Sequence, residues 1–294
     1  MVKGVCVFDL DNTLGDFRAV DFFGYIFEPK LTVNSDDKSL YDFRNRFENY
    51  LNDVKITERF IFRPNIIKIL QPLVDAYKSK KIIGFYIYSN NNNPYALEYA
   101  QRYLENEYSL FNLFKFLLHR SHPLRERDFK FSQEMPPKLV QTILDLIPEE
   151  DNPNIIFFDD LEHKDFRSKN VTYVKVIPFE SKATTEDLED IWKLFLIAYE
   201  EMNIDIFDLP HIKHLGYRNL KDIHNAYIEY SNTTMAYRGF TENSTYIDNL
   251  IQHFLKPIVN TGGKYRNYTK RYKKNRSKKR RYLLKHERSN SIDV

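Results

Sequence analysis

Short runs of apolar residues, separated by stretches with helical periodicity, most constrain the fold of this chain. The clearest runs cover residues 3–9, 82–88 and 154–158, and residues 171–177 form a fourth. Short runs that are apolar at nearly every position are typical of strands buried on both faces of a sheet. Strands that alternate with helices form parallel sheets, because a parallel connection needs a crossover. We therefore predict an α/β fold with a doubly wound, Rossmann-like parallel sheet.

The segments between these runs predict the connecting helices. Apolar residues from Ile66 to Val74 share one helical face, and Pro64 fits a first helical turn. A second helix is expected from Pro94 to about Glu105. Phe111–Leu118 predicts a short strand at its end. A further helix is expected to start at Pro136-Pro137-Lys138 and to reach Ile147.

Changes in composition divide the chain into segments. The sheet accounts for residues 1–183, in which residues 14–60 are predicted to be a small, cap-like insertion over the edge of the first strand. Thr184-Thr185-Glu186-Asp187 is typical of a helix start, so residues 184–262 are expected to form a helical extension. The pair Gly262-Gly263 indicates a linker before a tail, residues 263–294, that we expect to be disordered.

The net charge of +3 conceals a strong asymmetry between the tail and the rest of the chain. Residues 263–294 carry 13 Lys or Arg and two acidic residues, a net charge of +11. The remaining residues carry 31 basic and 39 acidic side chains, a net charge of −8. Such a division predicts an acidic body with a basic tail that serves a separate purpose.

The cysteine and hydropathy patterns limit the cellular setting. The single cysteine, Cys6, lies in the first apolar run and cannot form a disulfide within the chain, which favours an intracellular, reducing compartment. We expect Cys6 to pack in the core. No signal peptide is apparent, and no apolar stretch reaches the ~18 residues that a membrane span needs. We therefore predict a cytoplasmic or nuclear protein without a membrane partner.

Two carboxylates follow the first apolar run, in the sequence Asp9-Leu10-Asp11-Asn12-Thr13. The strand is expected to end near Asp9, which places both acids at the C-terminal edge of the sheet, where open α/β sheets bind ligands. Two acids at this distance repel each other unless a cation or a shared proton compensates. The pattern suits one carboxylate as a nucleophile, the other as a proton donor, and a divalent metal ion close to both.

Polar residues also follow the other apolar runs. Ser89 and four asparagines come after the second run, and Asp159-Asp160 ends the third. Lys138 lies shortly before the third run, and Lys130 is an alternative for the same role. Because parallel strands end at one edge of the sheet, these side chains are expected to lie near Asp9.

The order of these residues over positions 5–160 resembles the four motifs of the haloacid dehalogenase (HAD) superfamily of phosphotransferases. The resemblance implies that Asp9 attacks phosphorus and forms an aspartyl-phosphate. It implies that Asp11 protonates the leaving oxygen and later deprotonates the attacking water. Thr13 would hold the loop in place. An acid at position 11 favours a phosphatase, because the ATPase branch of the superfamily lacks one there.

The same resemblance implies a phosphate site and a magnesium site. Ser89 and Asn90 would bind phosphoryl oxygens, and Lys138 would neutralise the phosphoryl group and Asp9. The ligands of Mg²⁺ would be Asp9, the backbone carbonyl of Asp11 and Asp159. Asp160 would hold a metal-bound water or the lysine.

Within the superfamily, several residues are similar to those of phosphatases that act on the carboxy-terminal domain of RNA polymerase II and of their small relatives. These are Arg63-Pro64, which open the helix before the strand that ends at Ser89, Tyr95-Ala96 after the second motif, and Asp159-Asp160. Asn12 departs from that family, which usually has Glu there. The run Phe157–Asp160 equally resembles the magnesium-dependent phosphatase-1 group.

These features predict a Mg²⁺-dependent phosphomonoesterase, acting on phosphoserine or phosphothreonine in proteins. The absence of a large insertion between Ser89 and Lys138 favours an open site that accepts a macromolecular phosphate. One alternative is an end-processing phosphatase on nucleic acid, since residues 264–288 interleave tyrosines with cations that could bind RNA or DNA. Lys278–Arg281 also resembles a nuclear localisation signal. A second alternative is a non-catalytic binding protein with the same fold.

The histidines carry weaker signals. His163 lies close to the predicted metal edge and is expected to be a surface residue. His211 and His214 are three residues apart and fit one helical face, but a zinc site there lacks a third ligand.

Overall fold

A parallel sheet forms the centre of the chain, whose computed structural model describes residues 3–27, 38–126, 128–130, 137–148, 153–163 and 170–234. Its strands are β1 (Gly4–Phe8), β2 (Ile82–Tyr88), β3 (Phe114–Leu118), β4 (Asn154–Asp159) and β5 (Val171–Lys175). They lie in the order β3-β2-β1-β4-β5 and all pairings are parallel. Val7 in the central strand lies opposite Tyr86 on one side and Phe157 on the other. The predicted Rossmann-like α/β fold is confirmed at this level.

Helices connect the strands and cover the sheet. None of the helices in the described part of the chain is both long and apolar enough to cross a bilayer. The described residues also form a π-helical turn (Thr57–Ile61) and 3₁₀ turns at Pro123–Arg125, Asp128–Lys130 and Ile206–Asp208. The α-helices are α1 (Arg18–Asp21), α2 (Gly24–Phe27), α3 (Lys38–Asp53), α4 (Ile66–Lys78), α5 (Pro94–Glu107), α6 (Val140–Leu144), α7 (Thr185–Met202), α8 (Pro210–His214) and α9 (Leu220–Thr234).

Two predicted helix starts are confirmed by their caps. Pro94 is the first residue of α5, and the side chain of Asn93 accepts the N–H of Tyr95. At the start of α7, Thr184 and Asp187 form a reciprocal capping box.

Two other predicted helix starts are wrong. Asn65 has a left-handed backbone (φ 61°), so α4 begins after it and Pro64 lies outside the helix. Lys138 does not open a helix either, because α6 begins only at Val140. Leu139 is extended and donates its N–H to the Tyr88 hydroxyl at 2.9 Å, so a tertiary hydrogen bond replaces a helical turn here.

The alternation of side chains along the strands divides the core between the two faces of the sheet. On β1, Cys6 and Phe8 belong to one cluster, together with the apolar faces of α4 and α5. Val5 and Val7 belong to the other cluster, which α6 covers. Cys6 is buried and free, as its position in an apolar strand predicts.

The residue 14–60 segment packs against the C-terminal helices, and we call α1, α2, α3, α7 and α9 together the helical layer. Phe23 is its centre: its ring lies 4.7 Å from Phe47, 5.1 Å from Phe195 and 4.9 Å from Tyr227. The segment starts and ends beside the C-terminal end of β1, where Gly15 bridges to Phe62. Residues 235–262 and the basic tail lie outside the described residues.

Candidate active site at the switch point of the sheet

The strand order reverses between β1 and β4. The chain proceeds from β1 to β2 and β3 on one side, and then returns to place β4 and β5 on the other. Ligands of open α/β sheets bind beyond the carboxyl ends of the strands at such a switch point. Asp9 follows β1 directly and Asp159 is the last residue of β4, so both acids lie at this point.

Three carboxylates converge there. One oxygen from each of Asp9, Asp159 and Asp160 lies within 4.8 Å of the other two, and all three residues are buried. Carboxylates this close destabilise one another's charged forms unless positive charge is nearby.

Lys138 supplies positive charge within the cluster. Its Nζ lies 2.7 Å from Oδ1 of Asp9 and 2.6 Å from Oδ2 of Asp159, and the residue is only 1% exposed. Burial alone would lower the pKa of Lys138, but the two carboxylates outweigh burial and raise it. The lysine is therefore charged and bridges β1 to β4. The side chain of Lys130, the alternative lysine, lies outside the described part of the chain.

The acids of the cluster differ in their proton affinity. Burial opposes the ionisation of Asp159, yet Lys138 and His163 hold its pKa below the ordinary value. Burial and the charge of Asp159 raise the pKa of Asp9, against the opposing effect of Lys138. Burial and the neighbouring acids raise the pKa of Asp160 to about 6. One ammonium group thus leaves this cluster short of positive charge.

Asp11 is held apart from the cluster and differs from it chemically. Its Oδ2 accepts a hydrogen bond from Nδ2 of Asn91 at 3.1 Å. Burial, followed by the charges of Asp21 and Asp9, raises its pKa well above the ordinary value. Neighbouring carboxyls whose environments differ in this way can take different catalytic roles.

Asn91 also joins this loop to the end of β2. The backbone N–H of Asn91 donates to Oγ of Ser89 at 3.0 Å, and Ser89 is 1% exposed. The neighbouring Asn90 accepts a hydrogen bond from Arg125 at its Oδ1, at 2.7 Å. The roles of Asn91 and Arg125 were missed in the sequence. The four consecutive asparagines after β2 were the available signal for Asn91, whereas no feature of the sequence pattern indicated Arg125.

The loop Asp11–Gly15 is fixed from two sides. Thr13 Oγ1 accepts the N–H of Asp160 at 3.1 Å and donates to Oδ1 of that residue at 3.4 Å. Arg63 is buried and donates to the carbonyls of Asn12 and Thr13, each at 2.7 Å, and to that of Ile177 at 2.8 Å. Asn12 has a left-handed backbone (φ 59°), which asparagine tolerates better than glutamate does.

The histidine predictions have different outcomes. His163 is not a simple surface residue: its side chain is 10% exposed and its Nε2 lies 3.2 Å from Oδ2 of Asp159. The chain bends after Asp159, so that His163, four residues later, contacts its carboxylate. His211 contacts the carbonyl of Ile26 through Nε2 at 2.8 Å. Among the described residues, only Asp9, Asp159 and Asp160 bring three potential ligand atoms close enough together to hold a metal ion. His211 and His214 are therefore not part of a zinc site in this part of the chain.

The donor set fits a hard divalent cation. Asp9, Asp159 and Asp160 offer only oxygen ligands, which Mg²⁺ prefers. The raised pKa values of Asp9 and Asp160 show that further positive charge would stabilise their ionised forms. A buried triad of aspartates that could hold a metal ion is therefore present.

Comparisons of the chain with family models, with curated proteins and with the solved structures find no match.

Proposed function

We propose that this chain is a Mg²⁺-dependent phosphomonoesterase of the HAD type that works through an aspartyl-phosphate. One observation carries the proposal: the ammonium of Lys138 lies within 2.7 Å of carboxylates at the ends of two adjacent strands. Phosphoryl transfer needs positioning and neutralisation of an anionic group more than it needs new covalent chemistry. A lysine, three carboxylates and a further carboxyl group with a raised pKa are suited to that task.

Asp9 is the proposed nucleophile. Its Oδ1 accepts the N–H of Leu10 at 2.8 Å and contacts Lys138, and these described contacts leave Oδ2 for attack. Attack forms the bond between Oδ2 and phosphorus and breaks the bond to the ester oxygen. Asp11, whose raised pKa favours the protonated form, donates its proton to the departing oxygen.

Hydrolysis of the aspartyl-phosphate reverses these roles. Asp11, now ionised, removes a proton from water as the water attacks phosphorus. The bond between phosphorus and Asp9 breaks, which releases inorganic phosphate and restores both carboxyls. Asn91 orients Asp11 through the 3.1 Å hydrogen bond.

The phosphoryl oxygens would be bound by Ser89, Asn90 and Lys138. A magnesium ion would be held by Asp9, Asp159, the Asp11 carbonyl and, directly or through water, Asp160. When bound, Mg²⁺ supplies charge neutralisation of the phosphoryl group and of the buried carboxylates. Thr13 maintains the loop through its hydrogen bonds to Asp160.

Hydrolysis of p-nitrophenyl phosphate tests this proposal. We expect turnover that requires Mg²⁺ and is lost in Asp9→Asn, since an amide oxygen is a poor nucleophile at phosphorus. Asp75→Asn makes the same chemical change on the exposed face of α4 and is expected to retain full activity. Mg²⁺-independent turnover, or equal rates in wild type and Asp9→Asn, would contradict the mechanism. Phosphate binding without turnover would instead indicate the non-catalytic alternative.

Phosphoserine and phosphothreonine in proteins are the proposed substrates, in a cytoplasmic or nuclear setting. The basic residues at positions 264–288 support the nucleic-acid alternative, because Lys and Arg bind backbone phosphates. A panel of phosphopeptides and of 3′- and 5′-phosphorylated oligonucleotides distinguishes the two. Deletion of residues 264–294 should weaken RNA or DNA binding with a steep salt dependence, and unchanged binding at low salt would exclude a nucleic-acid role for the tail.

A further inference from the structure

A second charged pair lies behind the candidate site, fully removed from solvent. Arg125 and Asp128 are both 0% exposed, and Nε of the arginine lies 2.7 Å from Oδ2 of the aspartate. The guanidinium stacks on the ring of Tyr88, 4.7 Å from its centre. Buried ion pairs are costly to desolvate and contribute little net stability, so stability alone does not explain this one. Its hydrogen bonds indicate what it does.

The first set of bonds reaches the loop after β2. Nη1 of Arg125 donates to the carbonyl of Ser89, and Nη2 donates to Oδ1 of Asn90 at 2.7 Å. A guanidinium has only donors, so Asn90 must direct its amide oxygen to Arg125 and its NH₂ group away from it. Since peptides are trans, fixing the Ser89 carbonyl also turns the N–H of Asn90 away from Arg125. The directions of the backbone N–H and of the side-chain NH₂ group of Asn90 are therefore both fixed by Arg125.

The second set of bonds reaches the segment that carries Lys138. The Tyr88 hydroxyl donates to Oδ2 of Asp128 at 2.5 Å and accepts the N–H of Leu139 at 2.9 Å. Thr142 in α6 donates to the other oxygen of Asp128 at 2.9 Å. The backbone next to Lys138 is therefore tied to the same pair that holds the Ser89–Asn90 loop.

We propose that Arg125 is a positioning residue of the candidate active site. Arg125 orients the N–H donors of Asn90 toward a bound phosphoryl group, and through Asp128 and Tyr88 it aligns Lys138 with that group. This inference rests on the proposed phosphatase function, because it concerns where the phosphoryl group is held. Arg125 itself is fully buried, so it acts through its hydrogen-bond partners and not by direct contact with the substrate.

The test compares Arg125→Lys with wild type, using p-nitrophenyl phosphate and Mg²⁺. Lysine preserves the buried charge beside Asp128 but lacks the fork that reaches Ser89 and Asn90 at once. We expect kcat to fall about 10- to 100-fold, since misplacement by about 1 Å at a reacting centre has effects of this size. Because Arg125 makes no described contact with a carboxylate of the metal site, the Mg²⁺ concentration for half-maximal activity should change less than kcat does.

A double-variant cycle separates positioning from a merely structural role. If Arg125 acts through Asn90, Arg125→Lys and Asn90→Ala together should lose less than the product of their separate effects. Arg102→Lys is the matched control: Arg102 also bridges carboxylates, Glu48 and Glu98, but on the helical layer side of α5. We expect Arg102→Lys to leave kcat unchanged.

The outcomes distinguish this inference from the proposed function. A wild-type chain without Asp9-dependent hydrolysis overturns the phosphatase and the inference together. An active wild type with unchanged kcat in folded Arg125→Lys, or with fully multiplicative effects in the double variant, overturns the inference alone. If Arg125→Lys does not fold, Tyr88→Phe replaces it as the test, because this variant removes only one hydroxyl. A lowered kcat in Tyr88→Phe supports the inference, and an unchanged kcat overturns it.

Discussion

Replacement of Arg63 by methionine separates the stability of the fold from the geometry of the active-site loop. Arg63 is 1% exposed and donates to the carbonyls of Asn12, Thr13 and Ile177. Burial lowers the pKa of Arg63 to about 10. Relative to the ordinary value of about 12.5, this corresponds to a cost of about 3 kcal/mol for the charged form. Methionine removes that cost along with the hydrogen bonds.

The loss of hydrogen bonds is partly compensated. The carbonyl of Asn12 still accepts the N–H of Phe179 at 2.9 Å, whereas those of Thr13 and Ile177 lose the donors described above. Two orphaned buried acceptors cost about 2–6 kcal/mol in total. With about 3 kcal/mol regained from the absent charge, we expect Arg63→Met to lower the free energy of unfolding by about 1 kcal/mol and by no more than about 3 kcal/mol.

The effect on catalysis should be larger than the effect on stability. Arg63 restrains the turn that carries Asp11, so its loss should reduce kcat about 100-fold. Urea unfolding and p-nitrophenyl phosphate turnover measure the two quantities on the same protein. Arg59→Met is the control, because Arg59 is exposed four residues earlier in the chain. A stability loss clearly above about 3 kcal/mol, or unchanged kcat in the folded variant, would refute the reasoning.

Four further predictions follow from individual contacts. Gly15→Ala should cost about 1–3 kcal/mol in urea unfolding, because the new Cβ would lie 2.2 Å from the Ile61 carbonyl oxygen; an unchanged midpoint would refute it. Phe195→Ala should cost about 3–5 kcal/mol by the same measurement, since it leaves a cavity at the centre of the helical layer, and a loss below about 1 kcal/mol would contradict that packing. Burial lowers the pKa of His122 below the ordinary value of 6.5, so folding favours the neutral imidazole. The stabilisation from this preference is complete above about pH 6.5 and declines as pH falls and the imidazole becomes protonated. The stability difference between wild type and His122→Asn, which retains the cap on Leu124, should therefore change between pH 8 and pH 5, and a pH-independent difference would argue against it. Mg²⁺ at ten times its dissociation constant should stabilise wild type by about 1.4 kcal/mol in thermal unfolding. The same concentration should leave the stability of Asp159→Asn unchanged. Equal stabilisation of both proteins would show that the ion binds elsewhere.

Local sequence patterns were sufficient to predict most of the secondary-structure elements and part of the candidate active site. The apolar runs predicted the strands because a central parallel strand needs apolar side chains on both faces. Asp9 and Asp159 were found because they directly follow or end such runs. Lys138 was found by its place in the order of motifs, but its predicted helix was wrong, since the backbone there bonds to Tyr88 instead.

Long-range contacts account for what the sequence did not predict. The hydrogen bonds of Arg125 to the Ser89–Asn90 loop join residues 35 and 36 positions apart. Those of Arg63 join residues 50 to 114 positions apart. No periodicity in the chain encodes such pairs. From sequence alone, an arginine in a loop is expected to be a solvated surface residue. Only the tertiary structure shows that Arg63 and Arg125 are buried.

The sequence by itself determined the parallel sheet, most of its strands and the acids at its carboxyl edge, because periodicity is a local property of a chain. Tertiary structure alone decided that one lysine bridges Asp9 and Asp159, that burial and neighbouring acids raise the pKa of Asp11, and that the residue 14–60 segment packs with the C-terminal helices. The physical reason is that pKa values and ion pairs depend on distances and desolvation across the fold. These are fixed only when segments remote in sequence come together.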